Sequence, residues 1–351
     1  MRDVRRQLDS AQTFTASSPV SFDLPRDNVY KEIELFMAFN IVTAAGGAVT
    51  TPFEHSPWTL IKRVELVADG KDTIKSYDGA TLHDINWHDF GIYTPTEDFE
   101  IGASADTGNN RFGLIMSLES VGMEFPQHTW LDARRLSSLE LRITWGAAAD
   151  VATTMTNTTI TASITPWGHE ILDVDPKSQF SINQEVMTQF AFPTNSATQR
   201  RFRLNVANAY RRILINTKDS NARATVDRMQ MIRLVENGIF YRRIWDAGLI
   251  KIHNALKHGA TGIKMEASAA TDASEHPLFP EIAEAAGNPT QGVAGGYRSG
   301  QYMIDIAEDG SENSLLDTRG YSDLSLELDW NGANTTDLMR ITPSIYIPSF
   351  R

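Results

Sequence analysis

The sequence predicts an all-β protein: two tandem eight-stranded jelly rolls (β-sandwiches), with short helices in the connecting loops. Three observations carry that expectation. Several blocks recur in the same order in the two halves of the chain. The recurring blocks alternate apolar and polar residues with the period of a half-buried strand. Tight-turn dipeptides separate them.

The repeat is read by offset. Residues 77–91, YDGATLHDINWHDFG, fall on residues 245–259, WDAGLIKIHNALKHG, at an offset of 168, which places Asp78 on Asp246, Asn86 on Asn254 and Gly91 on Gly259. The same offset carries VELVADG onto IRLVENG, ending at Gly70 and Gly238. It also carries FDLP onto FAFP, pairing Phe22 with Phe190 and Pro25 with Pro193. Farther on, LDARRLSSLELRITW matches LDTRGYSDLSLELDW at 185, ending at Trp145 and Trp330, so the second copy holds 17 more residues in between. ITASI at 160–164 matches ITPSI at 341–345, an offset of 181. The expected divisions are an N-terminal arm over 1–18, a first jelly roll over 19–169 and a second over 170–351.

The elements follow in order. EIELFMAF, IKRVELV, LELRITW and TITASI read as strands in the first copy, and RRILIN, QMIRLV, QYMIDIA and LSLELDW in the second. In LELRITW the residues Leu139, Leu141, Ile143 and Trp145 share one side, as Leu324, Leu326, Leu328 and Trp330 do in LSLELDW. Asp69-Gly70 and Asn237-Gly238 supply the positive φ angles of tight hairpins. About eight short strands per copy is a sandwich count, and the jelly roll is its common eight-stranded form. Asp78 and Asp246 are each placed as an N-cap, with Gly91 and Gly259 as C-terminal stops, for a helix of roughly three turns. HPLFPEIAEAAG, at 276–287, is a further expected helix with no counterpart in the first copy. Long inserts at 86–127 and 255–297 are expected to project as loops.

Composition narrows the classes. The chain has 351 residues, 41% hydrophobic and 22% charged, which suits two ordinary cores. It contains no cysteine, so neither disulfides nor thiolate metal sites are expected. No run of 18 apolar residues occurs, and the first residues lack the apolar stretch of a signal peptide. A formal charge of −12 argues against a general nucleic-acid binder.

Duplicated strands, an Asp/Asn-Gly turn and a capped short helix, following a strand that ends in FDLP, resemble the double jelly-roll major capsid proteins of the tectivirus and adenovirus lineage. The likeness is greatest to those of tailless, membrane-containing bacteriophages. It implies a structural protein whose homotrimer forms a pseudo-hexagonal capsomer tiling an icosahedral shell over an internal lipid membrane; the residues themselves lead to the expectation of no enzymatic activity, no cofactor and no metal. Expected partners are further copies of the chain, neighbouring capsomers, penton proteins, minor capsid or membrane proteins and membrane lipid, with no specific nucleic acid. The expected location is the virion shell, after synthesis in the host cytoplasm. The arm carries Arg2, Arg5 and Arg6 and is expected beneath the shell, against a neighbouring capsomer or anionic headgroups; a frayed terminus is the plainer alternative. The doublets Lys62-Arg63, Arg134-Arg135, Arg200-Arg201, Arg211-Arg212 and Arg242-Arg243 read as solvated strand ends or as register contacts between subunits.

The residues bear on other functions too. His83 and His88, beside Asp84 and Asp89, fall on a helix and become Lys251 and Leu256 in the second copy, so a surface or subunit contact is expected rather than a metal site. The acidic stretch 305–312 lacks the spacing of a calcium loop. No zincin, nucleophile-elbow or P-loop pattern occurs. Trp145 and Trp330 continue apolar faces and are expected in the core, whereas Trp58, Trp87 and Trp130 are expected at contact surfaces. The alternative function is a virion spike or glycan-binding double β-sandwich.

Overall fold

The computed structural model describes residues 2–52, 57–90, 110–192, 199–218, 228–238, 240–257, 300–330 and 337–347. Gly91, Pro193, Gly259 and the helix expected at 276–287 lie outside the described residues. The chain forms two compact units that meet in sequence at Val186 and Met187. The expected division near 170 falls early, because the last long strand of the first unit continues to Leu172 and one more strand follows it.

The first unit contains β1 (Arg2–Gln7), β2 (Gln12–Thr13), β3 (Pro19–Asp23), β4 (Val29–Pro52), β5 (Ile61–Ala68), β6 (Asp72–Tyr77), α1 (Gly79–Phe90), β7 (Asn110–Ser117), β8 (Leu131–Asp132), β9 (Leu139–Trp145), β10 (Ala152–Leu172) and β11 (Ile182–Val186). One sheet runs β1-β10-β4-β7, with β2 also on β10 and β8 on β4. The other runs β3-β9-β5-β6-β11, antiparallel except for the last pair. Counting β1/β2 and β7/β8 as interrupted strands, four strands face four, with β11 added beside β6. Strand β9 shows why the pattern folds this way: its burial alternates along LELRITW, with Leu139, Leu141, Ile143 and Trp145 at 2% exposure or less. Burying one face of each sheet drives the sandwich together.

The predicted arm over 1–18 is instead part of this sandwich. Strand β1 pairs with β10 from Arg2 opposite Leu172 to Gln7 opposite Trp167, and β2 continues along the same strand with Thr13 opposite Ser163. The strand fills one side of β10, whose backbone groups would otherwise form an open edge.

The second unit contains β12 (Thr188–Ala191), β13 (Gln199–Leu204), β14 (Ala209–Lys218), β15 (Met229–Glu236), β16 (Phe240–Asp246), α2 (Ala247–Lys257), β17 (Gln301–Asp305), β18 (Leu316–Asp317), β19 (Leu324–Trp330) and β20 (Leu338–Ile347). One sheet holds β17-β14-β20, with β12 on β20 and β18 on β14; the other runs β13-β19-β15-β16. Phe202, Ile213, Ile232, Leu326, Trp330 and Ile341, drawn from both sheets, share one buried cluster.

Bulges at three matching places mark the two units as copies. Between β5 and β9 the register shifts from Ile61 to Arg63, and between β15 and β19 from Met229 to Met231. Between β5 and β6 it shifts at Leu66/Val67, and between β15 and β16 at Leu234/Val235. Both pairs reproduce the 168 offset read from the sequence. The third bulge skips Lys31 between Tyr30 and Glu32 on β4, and Arg211 between Tyr210 and Arg212 on β14, at an offset of 180.

That third bulge corrects two alignments. Phe22 lies opposite Leu141 on β9, and Phe202 opposite Leu326 on β19, so the counterpart of Phe22 is Phe202 rather than Phe190. Phe190 lies on β12, opposite Met339. Its neighbour Phe192 stands edge-on to Trp330 at 5.2 Å, as Phe14 stands edge-on to Trp145 at 5.5 Å. FAFP is therefore the counterpart of the stretch around β2, not of FDLP. Likewise Tyr30 pairs with Glu170 and Tyr210 with Ile345, an offset of 175 rather than 181 for the last strand. The second error is six residues along one strand, and an even slip leaves every side chain on its original face.

Candidate assembly surface

Strand β1 places its arginines on opposite faces of a sheet edge. Arg5 Nε donates to Glu34 at 2.6 Å, and its guanidinium lies 5.2 Å from the Phe36 ring and 5.1 Å from that of Trp167. On the other face Arg6 Nε donates to Glu170 at 2.8 Å, and Asn28 adds a second bond of 2.6 Å. Glu170 is 1% exposed, and Arg6 and Asn28 supply partners for its two buried carboxylate oxygens. Burial, reinforced by Glu170, pushes the Tyr30 phenol well above its ordinary range. Two of the three arginines of the expected arm are thus paired within the sheet, while Arg2 is exposed.

Beside Arg5, His169 Nε2 lies 3.5 Å from Glu32 and 3.4 Å from Glu34, and its Nδ1 lies 3.5 Å from Asp3. Burial raises the Glu32 carboxyl above its usual range, against the pull of His169 and Lys31. Glu32, Glu34 and His169 bring three donor atoms within 4.8 Å of one another, close enough to share a cation. Arg5 binds the other carboxylate oxygen of Glu34, which makes an ion-pair cluster tying β1, β10 and β4 together.

In the other sheet β11 runs parallel to β6, with Glu185 opposite Lys75 and Val186 opposite Ser76. Lys75 Nζ donates to Glu185 at 2.8 Å, and the Tyr77 hydroxyl donates to the same carboxylate oxygen. Lys75 is fully buried and Glu185 nearly so. Sequence reasoning missed this ladder. A single Lys and a single Glu in strands far apart in sequence carry no pattern until the fold pairs them.

The helices sit where their caps begin them. Asp78 Oδ1 accepts from Thr81 N at 2.7 Å, and Asp246 Oδ1 from Leu249 N at 3.1 Å. Asn86 on α1 pairs with the backbone of β7, donating to Ile115 O at 2.6 Å and accepting from Ile115 N at 2.8 Å. On α2, Asn254 with its amide turned to match makes the same pair with Met303 on β17, at 3.2 and 3.1 Å. This matched asparagine fixes each helix to its sheet. In the turns, Asp69 and Asn237 both have φ of 52°, followed by Gly70 at 73° and Gly238 at 75°. Asp69 accepts from Ser137 N at 2.5 Å and Asn237 from Ser322 N at 2.8 Å. The Pro25 carbonyl accepts from the Tyr30 hydroxyl at 2.7 Å, as that of Asn205 accepts from Tyr210 at 2.5 Å.

Several expected contact residues are internal. His83, Trp87 and His88 are buried, as are Asp84 and Asn86, because α1 is covered on all sides rather than along one stripe. Trp58 is fully buried and stands edge-on to Phe112 at 5.6 Å. Trp130 is partly buried against Phe180, and its Nε1 donates to Glu119 at 3.3 Å. Trp145 and Trp330, expected in the core, are 1% and 2% exposed. The doublet Arg211-Arg212 is buried rather than solvated. Lys62 pairs with Asp150, and Arg134 and Arg135 both bind Asp132. Within the acidic stretch, Asp309 accepts from Ser311 N and Ser314 Oγ, closing the loop on itself. The side chains of Arg242 and Arg243 lie outside the described residues.

Two eight-stranded sandwiches joined in tandem, with matching bulges, turns and capped helices, define a double jelly roll. Solved structures with this fold align over almost the whole chain. The STIV MCP, of Sulfolobus Turreted Icosahedral Virus, is 14% identical, with 99% of this chain and 97% of that chain covered and a TM-score of 0.71. The major capsid protein P2 of bacteriophage PM2 is 13% identical over 100% of this chain and 99% of its own, with a TM-score of 0.58. A PBCV-1 virus capsid chain is 12% identical over 100% and 97%, with a TM-score of 0.52. No family model matches the chain, and no curated protein matches it in sequence.

Proposed function

We propose that the chain is a viral major capsid protein, a structural rather than catalytic component whose homotrimer forms a pseudo-hexagonal capsomer in an icosahedral shell. The observation that carries this reading is the double jelly roll itself, matched over at least 99% of the chain by the STIV MCP and by PM2 P2. Its physical logic is symmetry. Three chains with two similar sandwiches present six similar side faces, so one kind of contact serves around a near-sixfold tile, and the copies are free to diverge where true symmetry breaks. An internal membrane beneath the shell, contacts with penton and minor proteins, and synthesis in a host cytoplasm belong to the same reading. A glycan-binding role is less favoured, since Trp145 and Trp330 are core residues and offer no stacking platform.

The test is the mass and outline of the purified protein. Light scattering should give three times the 39.0 kDa chain, and electron microscopy should show particles of hexagonal outline. A stable monomer that binds glycans would overturn the reading.

A further inference from the structure

We propose that β1 of one copy adds in parallel to the outer edge of β16 in a second copy, and that this strand addition links the chains of the trimer. The inference rests on the trimer reading above and goes further by naming the two edges that meet.

The internal repeat provides the template. Strand β1 directly precedes β2, which pairs with β10; β11 directly precedes β12, which pairs with β20. The 180 offset that relates Tyr30 to Tyr210 carries residues 2–6 onto residues 182–186, which are β11. Strand β11 is therefore the counterpart of β1 in the repeat, and it pairs in parallel with β6. The counterpart of β6 is β16: each pairs antiparallel with its hairpin partner through the same bulge, and each leads into a capped helix. Among the described residues β16 ends its sheet, and so does β1. Both strands thus carry an unpaired ladder edge, a template for pairing with another chain.

Within one chain, β6 is already occupied by β11. The open pair left over, β1 and β16, is present on every copy and is not self-complementary. Such a contact is head-to-tail, and it makes a closed ring when the rotation between copies closes. Transferring the register of β11 on β6 places Arg5 opposite Arg243 and Arg6 opposite Ile244.

The chain contains no cysteine, so introduced thiols report one contact each. The test is the double variant Arg5→Cys/Arg243→Cys, oxidised and run on a denaturing gel without reductant, beside each single variant. Paired strands bring Cα atoms within the span a disulfide bridges. The expected result is covalent dimer and trimer bands from the double variant alone, reversed by reductant. Val186→Cys/Ser76→Cys should cross-link within one chain and stay at monomer mass. Trimers by light scattering without interchain bands would overturn the strand pairing but leave the capsomer reading standing. A double variant that cross-links only within one chain would do the same, whereas an unmodified chain that stays monomeric would overturn both.

Discussion

At Asp69 and Asn237 the two copies hold one turn with a carboxylate and with an amide. Bonds from Ser137 lower the Asp69 carboxyl below its ordinary value. A group depressed in the folded state adds stability above the unfolded carboxylate pKa, near about 3.9, and loses it as pH falls through the folded value. Asp69→Asn should therefore keep the turn, as Asn237 does, and remove a pH-dependent contribution. The difference in Tm between the parent chain and this variant should shrink below about pH 4; a difference that stays constant through that range would contradict the assignment. The Lys75–Glu185 pair makes a sharper case, because both side chains are buried. Lys75→Met leaves the carboxylate without its cation and should cost about 3–5 kcal/mol by urea unfolding, while Lys75→Met with Glu185→Leu should cost far less.

Helix α1 begins against backbone. A Cβ at Gly79 would lie 2.3 Å from the Trp58 carbonyl oxygen, whereas the corresponding residue of α2 is Ala247. Gly79→Ala should thus destabilise by about 1–3 kcal/mol despite its better helix propensity, and the reverse change Ala247→Gly should cost about 1 kcal/mol. A stabilised Gly79→Ala protein would show that the helix start can shift. The helices, their caps and the strands beside them were legible in the sequence because they carry polar landmarks: Asp78 and Asp246, Asn86 and Asn254, Gly70 and Gly238. Strands β3 and β13, and β10 and β20, carry mainly alternation. Alternation repeats every two residues, so Ile164 aligns with Ile345 with the face correct and the position wrong, while FDLP aligns with FAFP on a different strand. The candidate interface was less legible still. Nothing in RDVRRQ distinguishes an edge strand from a basic arm until β10 is placed beside it. The burial of His83 and Trp87 depends on what covers α1, which helical spacing alone does not state.

For the whole molecule, deleting residues 2–7 should leave two folded sandwiches and abolish the trimer, read by light scattering with circular dichroism as the check on folding. Extending the deletion to residue 15 would also remove β2 and Phe14 from its place on Trp145, and should cost fold as well as assembly. Trimer that survives loss of 2–7 would move the intersubunit contact elsewhere. The matched bulges have a consequence beyond either unit. A period-two pattern is a ruler with identical marks, unable to report how far it has slid; a bulge is the one irregular mark, like the zero line of a vernier. Where residue identity has faded between the two copies, Lys31, Lys62 and Ile74 still index their strands, since each bulge recurs in the second copy.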